Sequence, residues 1–135
     1  MRCMRPWAVP VLVSTMALAA TACGSNLPAP PSSTAERFYR AIEAGDGSAA
    51  CNLLAPQTVQ EVEQSERAPC RSVILGEDIP TAGEVTELQQ YGTQAQVQLR
   101  GDTAFLAEFD DGWRIIAAAC TARGDRPYDC KLTGG

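Results

Sequence analysis

The apolar pattern of this chain changes period once, near Gly83, and that change constrains the fold more than any other feature. Before it, apolar residues recur at helical spacing: Ala35, Phe38, Tyr39 and Ile42 stand at i, i+3, i+4 and i+7. Ser33-Thr34-Ala35-Glu36 reads as a capping box that opens this helix, and Gly45 closes it. Asp46 is placed to cap a second, short helix over residues 47–54, with Ala50, Leu53 and Leu54 inward. Pro56 suits the first turn of a third helix. There Val59 and Val62 face in, and Glu61, Glu63 and Glu66 face solvent. Pro69 ends it, and residues 70–75 add one more turn.

After Gly83 the period is two, with strands expected over residues 84–91, 94–100, 103–109 and 113–120. A Gly101-Asp102 turn would pair Leu99 with Ala104 and Val97 with Leu106. A three-residue Asp110-Asp111-Gly112 loop would set Phe109 opposite Trp113 and Glu108 opposite Arg114. Residues 124–129 read as a loop. Helices followed by antiparallel strands mean an α+β fold, with N-terminal helices packed on a curved sheet of about four strands.

Residues 1–22 read as an export signal: Arg2 and Arg5, then an apolar stretch too short to span the ~30 Å of a bilayer core. The segment closes with Ala20-Thr21-Ala22-Cys23, which resembles a bacterial lipobox. Cys23 would then carry a diacylglyceryl group, and the chain would be extracytoplasmic and lipid-anchored to the cell membrane. The alternative is plain cleavage after Ala22, leaving Cys23 a free thiol. Residues 23–33, rich in proline and serine, read as an extended lipidated tether, and 34–135 as the domain. Ten arginines against one lysine suggest a high-GC, actinobacterial source.

With Cys3 in the signal and Cys23 lipidated, Cys51, Cys70, Cys120 and Cys130 remain. An even set outside the cytoplasm reads as disulfides, and four cysteines allow three connectivities. Cys51–Cys70 with Cys120–Cys130 closes the short loops; a crossed pairing would tie helix to sheet. No CxxC knuckle points to a metal. The chain has no histidine, which removes Ser-His-Asp and Cys-His catalysis and any histidine-ligated metal. No glycine-rich phosphate loop is present, so no cofactor is expected. The formal charge is −5, and it becomes more negative once Arg2 and Arg5 leave with the signal, which argues against nucleic acid.

ERFYRAIEAGD (36–46), CNLLAP (51–56), FLAEFDDGWRIIAAAC (105–120) and PYDC (127–130) together resemble the NTF2-like superfamily, with small actinobacterial lipoproteins as the nearest look-alikes. The resemblance implies a cone in which helices cover the concave face of a bent antiparallel sheet. It also implies frequent dimers and, in some relatives, enzymatic activity. Enzymatic relatives carry pocket Asp/His or Asp/Tyr groups; this chain has no histidine and no position matches such a catalytic pattern, so no catalytic residue is carried over.

Tyr39, Tyr91, Phe105, Phe109 and Trp113, with Ile115, are the candidate pocket or interface residues; plain core packing is the alternative. Strands three and four look apolar on both faces, with Ala104, Leu106, Ile116 and Ala118 on one. Phe105, Ala107, Phe109, Trp113, Ile115 and Ala117 form the other. Helices cover only one of these. The second calls for the C-terminal residues, a second subunit or a protein partner. The expected function is a non-enzymatic binding or interaction module of the envelope, its ligand unspecified. The alternatives are an NTF2-like enzyme acting on a small apolar substrate, or a structural envelope protein.

Overall fold

The computed structural model describes residues 27–134. Residues 1–26, which hold the expected export signal, Cys23 and the first part of the expected tether, lie outside the described residues. The first helix, α1 (Pro31–Glu43), starts earlier than the capping box suggests. Pro30 is its N-cap and makes no side-chain cap bond, while Pro31, with its pre-set φ, occupies the first turn. Residues Pro31–Ser33 therefore belong to the helix rather than to the tether. At the other end Gly45 adopts φ +70°, and the amides of Gly45 and Asp46 reach back to the carbonyls of Ile42 and Ala41 at 3.1 and 2.9 Å. That is a Schellman stop.

Asp46 then caps α2 (Gly47–Cys51) by accepting from the Ala49 amide at 2.9 Å. Helix α3 (Pro56–Glu66) begins at Pro56 and ends at Arg67 in the left-handed region. Glu63 is not merely solvated: its carboxylate accepts from the Cys70 amide at 3.0 Å and so supports the start of α4 (Cys70–Val73). A 3₁₀ turn, Ile74–Gly76, follows.

The sheet is an antiparallel meander of five strands: β1 (Val85–Tyr91), β2 (Gln94–Leu99), β3 (Asp102–Phe109), β4 (Gly112–Arg123) and β5 (Arg126–Thr133). The fifth strand replaces the expected C-terminal loop. Its period-two run of Tyr128, Cys130 and Leu132 is visible in the sequence but is masked by Gly124, Asp125 and Pro127. The β2–β3 hairpin turns at Arg100-Gly101, so Val97 faces Ala104 and Leu99 faces Asp102. This differs from the expected register by two positions, which leaves every side chain on its face.

The β3–β4 hairpin differs by one position, with a larger effect. Its turn is Asp110-Asp111, which pairs Phe109 with Gly112, Glu108 with Trp113, and Leu106 with Ile115. Trp113 and Ile115 thereby move to the helix side. A bulge at Ile116 then restores the expected frame, pairing Phe105 with Ala117. Arg114 does not face Glu108; it pairs with Asp111 and donates to the Asn52 carbonyl at 2.5 Å.

The helices lie on one face of the sheet. Phe38, Leu54, Ile74, Val97, Leu106, Ile115 and Leu132 are fully buried between the layers and form the core. Two disulfides, Cys51–Cys70 and Cys120–Cys130, are present. The first joins α2 to α4, and the second joins neighbouring positions of β4 and β5. Short of the Ala117–Thr133 pair that bounds the ladder with β5, β4 gains a different neighbour. The Ile115 amide donates to the Leu53 carbonyl at 2.9 Å, and the Ala55 amide donates to the Ile115 carbonyl at 2.8 Å. Residues Leu53–Ala55 thus act as a short parallel extension of the sheet.

Candidate functional site

Two places bring polar or aromatic chemistry together. The first is buried between the layers. Tyr39 of α1 donates to Asp102 Oδ2 at 2.5 Å, and both residues are buried. The same carboxylate accepts from the amides of Ala119 at 2.9 Å and Cys120 at 3.0 Å. Ala119 has φ +54°, and this left-handed residue aims two successive amides of β4 at one acceptor, an anion-binding nest. The carboxylate therefore holds β4 where β3 has begun to turn away. Burial pushes the Tyr39 hydroxyl far up from the ordinary phenol value, and the hydrogen bond and charge of Asp102 push it further. The phenol therefore acts as a donor at neutral pH. Three donors from two elements meet on this one buried carboxylate, so the pair acts as a structural clamp that ties α1 and β4 to the start of β3.

The second place is a groove of about 430 Å³ on the sheet face away from the main core. Its floor is apolar: Phe105, Ala107 and Phe109 of β3 with Ile116 and Ala117 of β4. The rim is polar but uncharged, with Gln57, Thr58 and Gln94 among its residues. The bulge that turns Ile116 toward this face leaves its carbonyl to be satisfied off the regular ladder. Thr58 Oγ1 donates to it at 3.1 Å and the Gly134 amide at 3.0 Å. Gly134 passes so close to α3 that an added Cβ would lie 2.7 Å from Thr58 Oγ1. One end of the groove is thereby closed.

Beside the groove, the β4–β5 hairpin lies against the same face through Phe105. Tyr128 of β5 stacks edge-on against Phe105, ring centroids 5.1 Å apart. Its hydroxyl accepts from Gln96 Nε2 at 3.2 Å. Gln96 lies on β2, three strands from β5, so the hairpin folds back across the sheet to make this contact. The C-terminal residues thus cover part of the second apolar face and leave the groove beside them.

Of the candidate pocket residues, only Phe105 and Phe109 meet here. Tyr39 sits in the buried clamp, and Ile115 is in the core. Trp113 packs against the core from the helix side. Tyr91 is 70 % exposed at the free edge of the sheet. Ile116, Tyr128 and Asp102 were missed by sequence reasoning. The bulge that re-aims Ile116 has no local signal, and the partners of Asp102 lie far along the chain. Tyr128 alone had a signal, the alternation of β5.

Among the described residues no helix is long and apolar enough to cross a membrane, and no three histidine, cysteine or acidic side chains gather to hold a metal ion. Compared with known protein families, curated proteins and solved structures, the chain matches none.

Proposed function

We propose that this protein is a lipid-anchored, extracytoplasmic binding module of NTF2-like kinship, and that its ligand is a small apolar molecule held in the outer groove. The observation that carries the reading is the make-up of that groove: aromatic and aliphatic residues over a concave floor, neutral amides and a hydroxyl at the rim, and no carboxylate in its lining. The disulfides support an oxidising location. The helix-first order and the antiparallel sheet with helices on one face support the kinship. An enzymatic reading would draw on the Tyr39–Asp102 contact, but both residues are buried and neither lines the groove.

The test is titration with a neutral fluorescent probe, N-phenyl-1-naphthylamine. Saturable binding of one probe per chain is expected. Ala107→Lys, which sets a charge in the floor, should weaken it at least tenfold with an unchanged melting temperature. Equal binding by that variant, or none by the parent, refutes the site.

A further inference from the structure

The outer face continues past the rim of the groove. Ala107 of the groove floor pairs with Gln94 on β2, and Gln94 pairs with Tyr91 on β1. Residues paired across an antiparallel ladder point to the same face, so these three side chains form one row. Strands stand about 4.8 Å apart, which sets Tyr91 roughly 10 Å from the groove floor. A second row runs beside the first: Phe105, Gln96 and Gln89. The chain carries 16 acidic and 11 basic side chains, and none of them falls in these two rows from β3 to β1. The charges that border the rows are engaged. Arg114, which continues the first row on β4, is held by Asp111 and the Asn52 carbonyl. Glu87, one step beyond Gln89 on the same face, accepts from Gln89 Nε2 at 2.5 Å.

Within this uncharged strip Tyr91 is 70 % exposed. Its hydroxyl donates to Gln89 Oε1 at 3.0 Å, so the exposed ring is held in place by its neighbour. A ring fixed in water has already lost the freedom that a contact would cost it. Gln94, exposed beside Tyr91, presents an amide that donates and accepts at once. A phosphate or carboxylate head would call for a cation here, and a cationic head for a free carboxylate; the rows supply neither. A sugar ring suits both groups present. Its C–H face packs on an aromatic ring, and its hydroxyls, which donate and accept, meet the amides.

We infer that the ligand is a neutral glycolipid, its apolar part in the groove and its uncharged sugar head on Gln94, Tyr91 and Gln89. This rests on the groove reading and names the class of molecule that the groove takes.

The test is displacement of N-phenyl-1-naphthylamine from the full chain by two neutral detergents with the same tail, each below its micelle-forming concentration. Dodecyl maltoside carries a sugar head, and tetraethylene glycol dodecyl ether does not. The maltoside should displace the probe at a concentration at least about fivefold lower. Tyr91→Ala should abolish that preference, and Tyr91→Trp, which keeps a ring, should retain it. Probe binding without the preference, or a preference that survives Tyr91→Ala, overturns this inference and leaves the groove reading standing. No probe binding at all overturns both.

Discussion

Asp102 binds an element from each layer, taking the hydroxyl of Tyr39 from α1 and two amides from β4. Removing the carboxylate by Asp102→Ala leaves three buried donors without a partner. Each such orphan costs about 1–3 kcal/mol, so the loss should be at least ~3 kcal/mol by urea denaturation. Tyr39→Phe removes one donor to a charged acceptor and should cost about 1.5–3 kcal/mol at neutral pH. The two variants differ again in alkali. Because folding raises the pKa of Tyr39, the stability it contributes is intact below the ordinary phenol pKa of about 10 and falls as pH rises beyond it. The parent should therefore lose stability progressively as pH rises from about 10, and Tyr39→Phe should lose less. An identical slope in both proteins would show that the clamp does not hold a neutral phenol. None of this was legible in the sequence: Asp102 follows a glycine, reads as a turn residue, and meets its partners only after the meander closes.

The elements themselves were largely legible. The helix with Phe38 and Tyr39 on one face, the Gly45 stop, the Asp46 cap and the alternation of β2 to β4 are local signals, and local chemistry decided them. What failed was register, because a turn of two residues and one of three fit the same Asp110-Asp111-Gly112 stretch. The chain chose the shorter turn and corrected the frame with a bulge at Ile116. That choice sends Ile115 into the core, where Leu53–Ala55 can bond to it. Close approach also governs the helices. A Cβ on Gly47 would stand 2.5 Å from the Arg71 carbonyl oxygen, a backbone atom with little room to move. Gly47→Ala should thus push α2 from α4 and cost about 1–3 kcal/mol, read as a lowered melting temperature. Ala119 presents the opposite case. Its φ of +54° suits glycine, so Ala119→Gly should be neutral or stabilising by up to ~1 kcal/mol in the same assay. A clear loss there would mean that the alanine methyl matters more than the backbone conformation.

At the scale of the whole molecule, the sequence announced two layers but not how the outer sheet face is finished. Alternation alone left that face bare. The covering comes from the β4–β5 hairpin folding back to set Tyr128 on Phe105, a long-range contact that no window of sequence contains. The disulfides hold each layer by itself. Replacing Cys51 and Cys70 by alanine should cost about 3 kcal/mol on the chain-entropy account, because the bridge closes a loop of 19 residues. The loss should appear as a lower denaturation midpoint, with the β4–β5 bridge still formed.

Each sulfur bridge joins cysteines that follow one another in the chain, the earlier pair complete before the later pair has emerged. A polypeptide delivered from its N-terminus can therefore seal its first half while the second is still being threaded. Neither half needs a sulfur from the other, so the order of arrival is already the order of correct oxidation.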